Sequence, residues 1–203
     1  MEFPRVSEQD RLHRLASYEI IDTAPEAPFD RLARLAAELF DAPIALITFV
    51  DEDRQWFKAR RGLTDTAAPR AGSFCDAALA LERGGVLVVD EAASDPRFAG
   101  NALVSGPTGV RFYAGAVLTS PEGDNLGTLC VMDDRTRPPL TVAETARLKA
   151  LADIVMDTLE LRRMTRRASE TQRALELVER LAVAGRKAGV GWPAEALPLR
   201  RVV

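Results

Sequence analysis

The chain has 203 residues, 47% of them hydrophobic, with 27 Lys and Arg against 30 Asp and Glu for a formal net charge of −3. That balance leaves no electrostatic footprint for nucleic acid, and no run approaches the roughly 20 apolar residues of a membrane helix. The length suits one domain plus an extension. The N-terminal MEFPRVSEQDRLHRL carries no apolar signal-peptide core, so the expected compartment is the cytoplasm.

In chain order, Ser7 to Tyr18 is a short helix, with Ser7 as cap and Asp10 three residues on. Thr23-x-x-Glu26 opens a second helix with Pro25 in its first turn. Its inward stripe is expected at Phe29, Leu32, Leu35, Ala36 and Leu39. Ile44 to Val50 and Gln55 to Arg60 read as a hairpin about Asp51-Glu52-Asp53. Leu63 to Gly72 reads as a loop, and Ser73-x-x-Asp76 caps a short helix to Leu81. Val86 to Val89 is a strand, and Asp95 to Gly109 is a long loop. Phe112 to Leu118 and Leu126 to Met132 are apolar runs about the turn-forming SPEGDN. Small residues at Ala114, Gly115, Ala116 and Gly127 leave room beside them for a cavity or a closely packed helix. The order predicts an α+β fold, an antiparallel sheet with helices on one face.

Thr141-x-x-Glu144 is a capping box, and no Pro or Gly interrupts the next residues to Ala184. A helix of that length would span about 66 Å. Beyond residue 160 its apolar or small positions fall at Leu161, Met164, Ala168, Thr171, Leu175, Val178 and Ala182. The 3-4-3-4 spacing predicts a coiled-coil seam and hence a homodimer, the other reading being an ordinary amphipathic helix folding back. Leu148, Leu151, Val155 and Leu159 point another way, onto the domain's own sheet. The expected organisation is a domain over 1–160, a coiled-coil helix over 161–184 and a tail over 185–203. RALELVERLAVAGRKAGVGW resembles the opening of a PAS sensory domain, which would be cut short in that tail.

Five phrases in register carry a wider resemblance over residues 4–163. They are YEIIDTAPEAPFDRLARLAAELFDAPIALITFVDEDRQWFKAR, PRAGSFCDAAL, DPRFAGNALVSGP, RFYAGAVL and LGTLCVMDD. Together they resemble the GAF domains that open many bacterial sensor histidine kinases and diguanylate cyclases. The resemblance implies a central antiparallel sheet, helices behind it, and a pocket on the other face under the loops. It implies a sensory role without chemistry of its own, in which a small molecule or a dimer rearrangement alters a histidine kinase or cyclase partner. No kinase or cyclase catalytic domain is read in the sequence. The pattern is not complete: Ala77 stands where a histidine is usual and Asp76 where Ala is usual, which removes one polar donor. Ala102 and Val117 stand where Pro is common.

The matched phrases give the expected ligand-facing residues as Trp56, Phe57, Phe74, Cys75, Asp76, Arg111, Tyr113 and Asp133. Such a pocket is mainly apolar with a few oriented polar groups. Arg111 could hold an anion or pair with Asp133, Asp134 or Asp95. Cys75 and Cys130 are the sole thiols. They read either as core residues or as a redox pair, Cys75 opening a short helix that could stabilise its thiolate. The second reading makes the alternative function a thiol-dependent free methionine-sulfoxide reductase on the same fold; a truncated sensor-kinase remnant is a third. A bilin site needs a histidine near its cysteine, and the sole histidine, His13, lies in the N-terminal segment. The Asn-Lys-Phe-Asp-Glu set of cyclic-nucleotide-binding members is absent. No metal-ligand cluster or phosphate-binding glycine loop is read, so the sequence requires no cofactor.

Overall fold

A computed structural model describes residues 7–187. Its elements are α1 (Glu8–Ser17), α2 (Ala27–Leu39), β1 (Ile44–Val50), β2 (Arg54–Arg61), β3 (Ala67–Pro69), α3 (Phe74–Leu79), β4 (Val86–Val89), α4 (Ala102–Ser105), β5 (Phe112–Thr119), β6 (Asn125–Asp133) and α5 (Val142–Lys187). The chain divides into two compact units after Glu160. The tail reading beyond Lys187, with the last five residues of the PAS-like opening, lies outside the described residues.

In the first unit, six strands form one antiparallel sheet in the order β3-β2-β1-β6-β5-β4. β1, reading IALITFV, is buried along its whole length because it is a central strand covered on both faces. Alternation along the strands sorts the core in two. Ala45, Ile47, Phe49, Phe112, Ala114, Ala116, Leu129 and Val131 meet Leu15 of α1, Phe29, Ala33 and Ala36 of α2, and Leu148, Val155 and Leu159 of α5. The opposite, loop-side face carries Ile44, Leu46, Phe57, Tyr113, Val117, Cys130 and Met132 beneath Phe74, Ala78, Phe98 and Val104. Gly127 is needed where β6 meets β1: a Cβ there would stand 1.9 Å from the Thr48 carbonyl oxygen.

Local capping follows three of the four motifs. Ser7 Oγ accepts from Asp10 N, Ser73 Oγ from Asp76 N, and Thr141 Oγ1 from Glu144 N, while Glu144 accepts from Thr141 N. Thr23-x-x-Glu26 is the exception. The N-cap of α2 is Glu26 without a side-chain cap, and Pro28, not Pro25, lies in the first turn. Thr23 Oγ1 and Glu26 instead receive the buried Lys58 ammonium at 2.8 and 2.6 Å, with a third bond to Ala24 O at 2.8 Å. Three acceptors satisfy all three N–H donors of this lysine.

The inward stripe of α2 also differs from expectation. Phe29, Ala33, Ala36 and Ala37 are buried, whereas Leu35 and Leu39 are 41% and 50% exposed. Small alanines let the helix approach a sheet face already filled by Phe49 and Trp56. The long loops carry two further elements, β3 and α4, too short to give a periodic signal. In the second unit, α5 continues as helix through Gly185, where the pattern was expected to stop. Among the described residues no helix is long and apolar enough to cross a membrane.

Candidate functional site

The loop-side face is organised by α3. Its Ser73 cap turns Phe74 and Cys75 inward onto β5 and β6. The Phe74 ring stacks on Tyr113 at 4.5 Å and 10°, and meets Phe98 at 4.4 Å and 35°. Tyr113 in turn reaches along β5 over Gly115, where a Cβ would be 2.1 Å from the phenol oxygen. Glycine at 115 is therefore what admits the hydroxyl.

Beneath these rings lies a buried polar cluster. Tyr113 OH donates to Thr128 Oγ1 at 3.5 Å, Thr128 Oγ1 donates to Cys75 Sγ at 3.2 Å, and Tyr113 OH lies 3.9 Å from the same sulfur. Cys130 is the largest influence lowering the Cys75 thiol to about 7, against burial, which pushes it up. Cys75, then burial, pushes the Cys130 thiol well above its ordinary value. Burial first, and then the charge of Cys75, raise the Tyr113 phenol well above its own. A proton leaving this cluster therefore leaves from Cys75, because Thr128 Oγ1 donates to its sulfur while burial holds the Tyr113 and Cys130 protons in place. Thr48, paired with Thr128 across β1 and β6, also faces the Cys75 thiol. Its Oγ1 is buried without a hydrogen-bond partner of normal length among the described residues.

Of the eight expected ligand-facing residues, Phe57, Phe74, Cys75 and Tyr113 converge here. Trp56 does not: adjacent to Phe57 on a strand, it faces the helix side, with Lys58 Nζ 5.9 Å from its ring. Asp76 points outward to Arg70, whose Nε donates at 2.7 Å. Arg111 Nη1 donates to the carbonyls of Val104, Gly109 and Val110 at 3.2, 3.0 and 3.1 Å and closes that loop. Asp133 pairs with Arg137, which also donates to Phe40 O at 2.7 Å. Burial would raise the Asp133 carboxyl, yet Arg137 and the Arg135 N–H together hold it below the usual range. Asp133, Asp41, Arg61, Arg135 and Arg137 line a separate open concavity of about 520 Å³.

Thr48, Thr128 and Cys130 were not among those eight. Their signal was the placement of polar side chains at alternate positions within apolar strands, which puts all three on one face. Arg70 was also missed. Its guanidinium ties Asp76 of α3 to Glu8 of α1 at 2.5 Å and to the Asp51 carbonyl at 3.0 Å.

The GAF domain model matches residues 24–159. A cyclic di-GMP phosphodiesterase of Pseudomonas aeruginosa is 41% identical over 146 residues, which is 72% of this chain and 24% of that protein. The chain thus spans about a quarter of the length of that relative. Among solved structures, the GAF domain of an Acinetobacter phosphoenolpyruvate-protein phosphotransferase aligns at TM-score 0.53 and 16% identity over 76% of this chain and 95% of its own. Free methionine-R-sulfoxide reductase of Neisseria meningitidis, in complex with its substrate, aligns at TM-score 0.55 and 21% identity over 81% and 98%. Such structural likenesses show the fold alone. The family match and the sheet, helix and loop arrangement agree, and the chain belongs to the GAF domain family.

Proposed function

We propose that this chain is a cytoplasmic sensory module of bacterial signal transduction, of the two-component or cyclic di-GMP type. In this reading it carries no kinase, cyclase or phosphodiesterase chemistry and biases a partner's output instead. The observation that carries it is the 41% identity to a segment amounting to a quarter of a larger signalling enzyme. A domain matched as a minor part of such a protein is read as an input part rather than as its reaction centre.

The second unit supplies the output in this reading. Leu161, Met164, Leu175 and Val178 are each more than half exposed in the single chain, and Ala168, Thr171 and Ala182 continue their spacing. Ile154, also exposed, falls one heptad before Leu161. Pairing with a second copy would cover this seam. A signal is transmitted only if it favours one packing of that dimer over another, and a change of heptad register or crossing angle is a two-state element suited to it. Native mass spectrometry of the purified chain tests the reading, reporting subunit number and any retained small molecule at once. A dimer is expected; a monomer carrying nothing would remove both the input and the output from this proposal.

A further inference from the structure

Cys75 and Cys130 come from separate elements and meet in one buried cluster. Cys130 lies on β6 between Leu46 of β1 and Gly115 of β5. Since Gly115 has no side chain, the sheet surface beside Cys130 is open to groups from above. Tyr113 OH occupies part of that opening, and Cys75 approaches from α3. Thr128, two residues before Cys130 on the same face of β6, donates to Cys75 Sγ at 3.2 Å. Thr128 and Cys130 share one face of β6, so the hydroxyl bonded to Cys75 Sγ is the same-face neighbour of Cys130, and each thiol shifts the other's proton affinity. A disulfide sets its sulfurs about 2 Å apart, so closing it would draw α3 toward β6.

We propose that Cys75 and Cys130 form a reversible intramolecular disulfide on exposure to a small peroxide, making the loop-side core of this domain an oxidant-sensing site. Both sulfurs are buried, which selects a small, uncharged oxidant over a bulky disulfide such as oxidised glutathione. Cys75 is the attacking sulfur and Cys130 the resolving one. The Cys75 thiolate forms an S–O bond as the peroxide O–O bond breaks. The departing oxygen takes the thiol proton and leaves as an alcohol, or as water from hydrogen peroxide. Cys130 sulfur then attacks the Cys75 sulfenic acid; the S–S bond forms, the S–O bond breaks, and the hydroxyl leaves with the Cys130 proton as water. Two thiols lose two electrons in total and the peroxide gains them.

The bond would tie α3 covalently to the central sheet. α3 is linked through Asp76 and Arg70 to Glu8 of α1. The other end of α1 is linked by the Tyr18 hydroxyl to Glu160 of α5, the last residue of the first unit. That a change at α3 serves as an input rests on the sensory reading above; the disulfide itself does not.

The test treats the full chain with hydrogen peroxide, removes the excess with catalase, and alkylates in denaturant before intact-mass analysis and peptide mapping. The expected result is loss of both alkylation sites, one Cys75–Cys130 cross-linked peptide, and recovery of both thiols with dithiothreitol. In Cys130→Ala, Cys75 is expected to pass to sulfinic acid without a cross-link, in a protein whose circular dichroism is unchanged. Two thiols still alkylated in the wild-type chain would overturn the proposal. So would Cys75 over-oxidised there without linkage, or links found only between chains. Because the readout is the bond, those failures leave the regulatory reading standing.

Discussion

Glu8 joins more of the structure than its place in the first turn of α1 implies. Its carboxylate accepts from Arg11 Nε and Nη2 at 2.8 and 2.7 Å and from Arg70 Nη1 at 2.5 Å. Arg11 first, with burial opposing and Arg70 assisting, holds the group at about 2 against its ordinary 4.5. A depressed carboxylate stabilises the fold fully above pH 4.5 and loses that contribution as pH falls through about 2. Glu8→Gln is therefore expected to flatten the acid limb of a stability–pH curve between those values. The carboxylate side chain is about half exposed, so the loss near neutral pH should be about 0.5–1 kcal/mol. Urea melts from pH 2 to 7 would check this, and identical slopes for both proteins would refute it. Such contacts were not legible in the sequence. Arg70 and Glu8 are 62 positions apart, and only tertiary placement brings a guanidinium to a distant carboxylate. Arg111 shows the same limit: its Nη1 donates to the carbonyls of a neighbouring loop, contacts that no sequence pattern displays. Trp56 and Phe57 serve opposite faces of the sheet, since neighbours on a strand point opposite ways.

Among elements, the strands and the capped helices were legible because their signals are local. Val and Ile runs broken by Asp, Gly and Pro gave β1, β4, β5 and β6, and Ser7, Ser73 and Thr141 marked true helix starts. α2 was legible as a helix but not in its orientation. It has two apolar stripes, and the larger side chains at Leu35 and Leu39 made the outer one look like the core. The sheet's bulk decides the matter, because large residues below require small ones above. Phe29→Ala should cost about 3–5 kcal/mol by opening a cavity between α2 and the sheet, whereas Leu39→Ala should cost about 0.5 kcal/mol or less. Chemical denaturation of the two variants separates these cases; equal losses would show that the stripe has been assigned to the wrong face. The thiol cluster was half legible. Both cysteines stood out as the only ones, but their meeting depends on the crossing of α3 over β6, which no local pattern encodes.

At the scale of the molecule, the first unit is a GAF domain whose loop-side face holds its aromatic and thiol groups. Its helix-side face is sealed by α1, α2 and the first part of α5. The second unit is helix in its described part, with large apolar side chains turned to solvent. An isolated helix with such a face gains nothing from exposing it, and burial against a second copy would recover about 25 cal/mol for each Å² of apolar surface removed from water. The sensory account depends on this pairing, since it assigns the module no catalysis and leaves a change of packing as its output. Light scattering on the full chain, beside a variant carrying Leu175→Asp and Val178→Asp together, tests it most directly. The account predicts a dimer for the natural chain and a folded monomer for the variant. A natural chain that stays monomeric at every concentration, or a variant that still dimerises, would contradict it.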